Sequence, residues 1–169
     1  MINKKDQIAF IRNFLVCDGI DFFLGSGASL LAGIPSGQNL VWEFKKEIYC
    51  SENNVSRELF KDLQSERNRR KLQDYFDSLD GFPTIGSKNE YSFYFEKCYD
   101  NTASRNAFIQ NLVANVEPTR GHLCLANLFI NNKAKNIWTT NFDELIEAGI
   151  KTLSSQYSFN IISLSLIHI

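Results

Sequence analysis

An α/β fold is what this sequence predicts: a partial, Rossmann-like parallel sheet of about three strands with a helical insertion near residues 52–116. Three observations predict it. Short apolar runs, IDFFL at Ile20–Leu24, KNIWT at Lys135–Thr139 and the segment Ser158–Ser163, are separated by stretches with helical spacing. The first two runs each end directly in a polar turn, Gly25–Ser26–Gly27 and Thr140–Asn141. Between them, residues 52–115 carry helical punctuation and no strand-like alternation.

The elements follow in order. Ile8, Ile11, Phe14 and Leu15 recur at helical spacing with Arg12 and Asn13 between them, so the chain opens on an amphipathic helix rather than a signal peptide. Asp18–Gly19 is a turn, and Ile20–Leu24 the first strand. The apolar residues after Ala28 predict a helix start, broken at Gly33–Ile34–Pro35–Ser36–Gly37. Gln38 to Cys50 reads as a helix with Leu40, Phe44 and Ile48 on one face. Asp62–Leu79, Tyr91–Tyr99 and Arg105–Val116 are further helices, with a turn at Gly81–Phe82–Pro83. The Phe content is high, 14 in all, and several fall between residues 60 and 108, so this stretch has an apolar face of its own. Thr119 is a plausible N-cap for the helix carrying Leu123, Leu125, Leu128 and Phe129. The second strand follows, then a helix over Asn141–Lys151, then the third strand. Residues 1–169 are read as a single partial domain. The apolar ending SLSLIHI, with no cap or polar tail, leads to the expectation of a C-terminal truncation whose last residues are not native.

Composition narrows the function. The 169 residues are 44% hydrophobic and 22% charged, which is ordinary globular material. Net charge is −1, so no electrostatic case exists for a nucleic-acid partner, and the basic run Arg67–Lys71 reads as a solvated helix face. No run of about 20 apolar residues exists to span a membrane. Cys17, Cys50, Cys98 and Cys124 form no C-x-x-C pair, so no metal site is expected. Reduced, mostly buried thiols in a cytoplasmic protein are the reading.

Strand, then G-S-G-A-S, then helix is a recipe for holding phosphate, because glycine lets backbone approach the ligand and free N–H groups at a helix start face the anion. A glycine turn between strand and helix is also a common structural device. Two familiar versions are excluded. A G-x-G-x-x-G fingerprint starting at Gly25 meets Leu30 where glycine is needed, and no Gly-Lys-Ser/Thr triplet exists for a P-loop.

The longer string Gly25–Ser26–Gly27–Ala28–Ser29–Leu30–Leu31–Ala32–Gly33–Ile34–Pro35 resembles the sirtuin signature G-A-G-x-S-x-x-x-G-I-P. Thr139–Thr140–Asn141–Phe142–Asp143 resembles the T-Q-N-I-D of sirtuins, and more closely the T-T-N-[FY]-D of bacterial SIR2-like NAD hydrolases. Pro118–Leu128 is a weaker match to the helix preceding that strand in the family. The resemblance covers roughly residues 19–50 and 117–150. Ser36–Gly37–Gln38 stands where protein-deacylating sirtuins have Asp-Phe-Arg, and their four-cysteine zinc module is missing, which moves the reading toward the NAD-cleaving branch known from bacterial anti-phage defence.

The resemblance implies NAD as substrate, no metal, and hydrolysis of the nicotinamide–ribose bond. Ser26, Gly27 and Ala28 would meet the pyrophosphate through backbone N–H, with a hydroxyl from Ser29, and Gly25, Gly33, Ile34, Pro35 and Thr140 complete the expected binding set. Asn141 is the candidate catalytic residue, orienting a ribose hydroxyl or the attacking water; the alternative is that it caps the following helix. Asp143 would contact the nicotinamide end or tie down its loop, or else be a first-turn acid favoured by the helix dipole. His122 reads as structural. The family's catalytic histidine follows T-x-N-x-D; only His168 does so here, so the base is expected to be missing from this chain. The expectation is an NAD glycohydrolase, with a non-catalytic NAD or ADP-ribose sensor and, last, an NAD-dependent protein deacylase as alternatives. The parent protein could assemble as a homo-oligomer; no membrane partner is expected.

Overall fold

A computed structural model describes residues 3–154 and 162–163. It is α/β in class and mostly helical, with a small parallel sheet. The elements are α1 (Lys4–Val16), β1 (Ile20–Leu24), a 3-10 segment (Ser26–Ala32), α2 (Gly37–Glu52), a short 3-10 turn (Arg57–Phe60), α3 (Glu66–Asp77), α4 (Glu90–Cys98), α5 (Thr102–Val113), α6 (Arg120–Ile130), β2 (Ala134–Thr139), α7 (Leu145–Leu153) and β3 (Ile162–Ser163). They divide into two compact units, residues 3–28 with 117–154 and 162–163, and residues 29–116.

In the first unit β1 and β2 run parallel, with Phe22 opposite Ile137 and Leu24 opposite Thr139. On the other edge of β2, Trp138 and Thr139 pair in parallel with Ile162 and Ser163. The rest of the expected third strand lies outside the described residues. Strand alternation sorts the side chains of β1: Phe22 and Leu24 pack on the core, while Asp21 and Phe23 are exposed. That core consists of Ala126, Ile137, Ile146 and Ile150, so α6 and α7 cover one face of the sheet. Gly149 of α7 faces α6, where a Cβ would make ordinary contact, 3.5 Å from the His122 carbonyl oxygen and 3.6 Å from the Ala126 Cβ. Asn136 donates to Asp21 on the opposite face at 2.8 Å. The amphipathic helix α1 is present as expected, and none of its residues is buried.

The second unit has its own core. Leu40, Val41, Phe44 and Ile48 of α2 pack with Phe76, Tyr94 and Phe95, and Phe44 meets the rings of Tyr91, Phe95, Tyr99 and Phe108. A smaller cluster gathers Cys50, Phe60, Leu63 and Leu72. The helical unit begins at Ser29, and the apolar face of α2 belongs to its core. Lys45 at its centre is fully buried; its ammonium donates to Glu90 at 2.6 Å and to Gln73 at 2.7 Å, and sits over the rings of Trp42 and Tyr94. Glu90 uses its second oxygen to accept the Gly86 N–H at 2.7 Å. Such a pair is tolerable only when these remaining valences are met.

Several sequence readings are corrected. The chain after Ala28 forms a 3-10 segment, Ser26–Ala32, rather than an α-helix, and Gly33 at φ 96° ends it. The helix after β2 begins at Leu145, four residues later than Asn141. The cysteines are not mostly buried: all are free, but Cys17 and Cys124 are exposed. Within the basic run, Arg69 departs from a solvated face, stacking on Trp42 at 5.2 Å while its Nε donates to the Leu63 carbonyl.

Candidate functional site at the carboxyl ends of the strands

The glycine turn and the Thr140–Asp143 loop leave neighbouring parallel strands at the same end. The Thr140 N–H donates to the Leu24 carbonyl at 3.1 Å, and a Cβ on Gly25 would lie 3.9 Å from Thr140 Oγ1. Residues over 100 positions apart in the chain thus meet because β1 pairs with β2 in register up to Leu24 and Thr139. This is the end of an open α/β sheet where ligands bind.

The expected phosphate donors are not equivalent. Ala28 directs its N–H at the Gly25 carbonyl, 2.9 Å away, which closes the turn and removes it from the expected donor set. The N–H groups of Ser26 and Gly27 stand at the start of the 3-10 segment with no backbone partner among the described residues. A Cβ at Gly27 would meet nothing within 4 Å, so neither packing nor a positive φ calls for glycine there. Ser29 is 1% exposed, which places its hydroxyl in the interior rather than at a surface. Ser29, Gly33, Ile34 and Pro35 belong to the helical unit, whereas Gly25, Ser26, Gly27, Ala28, Thr140, Asn141 and Asp143 belong to the sheet unit. Gly33 and Ile34 close their turn onto Leu30 and Ser29 at 3.1 and 3.3 Å.

Asn141 is buried, and its backbone N–H donates to Thr139 Oγ1 at 3.0 Å. Because α7 starts at Leu145, Asn141 does not cap that helix. The capping contact belongs to Asp143, whose Oδ1 accepts the Leu145 N–H at 3.3 Å. Thr139, which sequence reasoning left out of the expected set, holds the Asn141 backbone through its hydroxyl. Its signal was present in the first threonine of T-T-N-F-D, but strand alternation alone assigned it to β2.

His122 is structural, as expected. Its Nδ1 accepts the Thr119 N–H at 3.0 Å and lies 2.9 Å from Thr119 Oγ1, so the ring caps α6 at its N-terminus. Burial lowers its pKa, and the carboxylate of Asp143 opposes the shift. His168 lies outside the described residues. Glu147 on α7 has a carboxyl pKa raised by burial. No group of His, Cys, Asp or Glu suited to a metal ion occurs among the described residues, and none of their helices is long and apolar enough to cross a membrane.

No protein-family model matches the chain, and no curated protein matches it either.

Proposed function

We propose that the chain is the nucleotide-binding part of a SIR2-like NAD glycohydrolase. β1, β2 and β3 would be part of its Rossmann-like sheet. One observation carries this reading: the glycine turn and the Asn141 loop, which separately resemble the family's two motifs, meet at the carboxyl ends of adjacent parallel strands. Neither motif alone implies the other, and a chance resemblance gives no reason for them to converge.

Ser26 and Gly27 hold the pyrophosphate through their N–H groups, at a turn where a Cβ on Gly27 would meet nothing within 4 Å. Asn141, held by Thr139, orients the ribose or the attacking water. Nicotinamide is a cationic leaving group. Its C–N bond breaks with the electron pair going to the ring nitrogen, so it departs neutral without a general acid. Water adds to the anomeric carbon and releases a proton, giving ADP-ribose. The setting inferred from the resemblance is cytoplasmic NAD depletion in bacterial anti-phage defence.

The test is nicotinamide release from NAD by the intact protein that carries this nucleotide-binding part, measured beside its Asn141→Ala variant. Loss of release in the variant, with NAD binding retained, is expected. Equal rates in the two proteins sink the assignment. A second reading, an NAD or ADP-ribose sensor without turnover, is favoured by the lack of a histidine after Asp143 among the described residues. Calorimetry that detects NAD binding with no nicotinamide release selects it.

A further inference from the structure

We propose that α1 is a self-association surface: its apolar face packs antiparallel against the same helix of a second copy of the chain. The inference is independent of the nucleotide reading. None of the residues of α1 is buried, and Ile8, Phe10, Ile11, Leu15 and Val16 are 44–79% exposed. Isolated helices shorter than about 12–15 residues are marginal in water, and in proteins a helix owes most of its stability to a packed apolar face. α1 has 13 residues. Lys133 fixes its last turn, donating to the Leu15 carbonyl at 3.2 Å and to the Cys17 carbonyl, and lying over the Phe14 ring. In the turns before it, Ile8, Phe10 and Ile11 stay exposed.

Spacing and charge identify the occupant. Ile8, Ile11 and Leu15 recur at intervals of three and four, the repeat of a helix seam. Continued in both directions, the repeat reaches Lys4 at the start of the helix and Asp18 just past its end. Both are exposed, and neither joins an ion pair among the described residues. The apolar stripe is thus flanked by a cation at one end and a carboxylate at the other. An antiparallel pair with its two-fold axis at Ile11 sets Lys4 of each copy against Asp18 of the other, and Ile8 beside Phe14. Leu15 then falls opposite Gln7, where Asp6, Gln7, Phe10 and Ile11 frame a hollow. A parallel pair would instead oppose Lys4 to Lys4 and Asp18 to Asp18. A lipid surface is a poorer match, because Asp6 and Asp18 offset most of the charge of Lys4, Lys5 and Arg12, and such helices carry a polar face rich in Lys and Arg.

The helix is about 20 Å long and roughly 10 Å wide. That contact falls short of the roughly 800 Å² per partner of a standard interface, so the dimer is weak and concentration-dependent.

Sedimentation of the full chain over a wide concentration range tests this. A reversible monomer–dimer equilibrium is expected. Ile11→Glu buries a charge at the centre of the seam and is expected to weaken dimerisation about tenfold or more. Ile11 is 54% exposed, so this variant is expected to melt like the wild type at low concentration. Lys4→Glu and Asp18→Lys each bring like charges together and are expected to weaken the dimer roughly threefold or more. Glutamate suits a helix N-terminus, so the loss in Lys4→Glu does not come from a melted helix. The double variant Lys4→Glu/Asp18→Lys re-forms opposite charges in the antiparallel pair and is expected to restore the dimer. A chain that stays monomeric throughout, a dimer that survives Ile11→Glu, or a double variant no better than the single ones overturns the proposal. So does a monomer that binds vesicles of phosphatidylglycerol and loses that binding in Ile11→Glu, which assigns the face to a lipid surface.

Discussion

Replacing Thr139 by Val removes one hydrogen-bond acceptor and almost nothing else. Thr139 is 5% exposed and lies in β2, and its Oγ1 accepts the N–H of Asn141, itself 8% exposed, at 3.0 Å. Valine matches threonine in shape and in strand preference, and it gains apolar surface in a buried position. On packing and propensity alone the variant would equal or exceed the wild type. The lost acceptor predicts the opposite sign, because the Asn141 N–H stays buried without a partner at a cost of about 1–3 kcal/mol. Urea unfolding measures the difference. The chain has two tryptophans, Trp42 in the helical unit and Trp138 in β2, so a Trp42→Phe background leaves a fluorescence reporter in the sheet. The unfolding midpoint of Thr139→Val is expected to fall, and nicotinamide release to fall further as the Asn141 loop loses its anchor. Thr139→Ser keeps the acceptor and retains release. A Val variant as stable as the wild type refutes the assignment of Thr139 as the residue that holds Asn141.

Other outcomes follow from the same geometry. Glu90→Leu strands the fully buried Lys45 ammonium and is expected to cost about 3–5 kcal/mol, most of it recovered in Lys45→Met/Glu90→Leu, as urea midpoints read through Trp42 will show. His122 has a folded pKa below its ordinary 6.5, so the unfolded chain takes up its proton first; this stability is full above that value and is lost as pH falls below it. Unfolding midpoints at pH 7.5 and pH 5 are therefore expected to differ less in His122→Gln, which retains an N3 acceptor for the cap, and an unchanged difference refutes the role. Burial, with Glu47 adding to it, pushes the Cys98 thiol up to about 12, so at pH 8 Cys17 and Cys124 are expected to react with a thiol reagent well before Cys98 does.

What the sequence made legible was the part written in local pattern. The apolar runs located β1 and β2, and Thr119 located the start of α6, because strand alternation and capping are near-neighbour effects. Boundaries decided by tertiary packing were not legible. The face of α2 that carries Leu40, Phe44 and Ile48 has the same spacing whether it covers a sheet or other helices; only its packing with Phe76, Tyr94 and Phe95 assigns it to the helical unit. Asn141 is a good N-cap residue by type, yet the helix waits until Leu145, where Asp143 meets the first N–H.

Two glycines of one motif separate what the fold requires from what a ligand requires. Gly33 sits at φ 96°, a conformation that costs an L-residue about 1–2 kcal/mol, so Gly33→Ala is expected to destabilise the protein with or without NAD. Gly27 has an ordinary φ, and a methyl group there would touch nothing within 4 Å. Gly27→Ala is therefore expected to fold as well as the wild type, or to gain about 0.4–1 kcal/mol from a stiffer unfolded chain. Its effect must appear, if the turn cradles pyrophosphate, only when ligand approaches the backbone. Thermal unfolding with and without saturating NAD reads both terms on one sample. The expected pattern is an unchanged or slightly raised midpoint without NAD and a much smaller upward shift on adding it. An NAD-induced shift in Gly27→Ala equal to that of the wild type shows that nothing comes close to this backbone, and the glycine turn then loses its place in the nucleotide site.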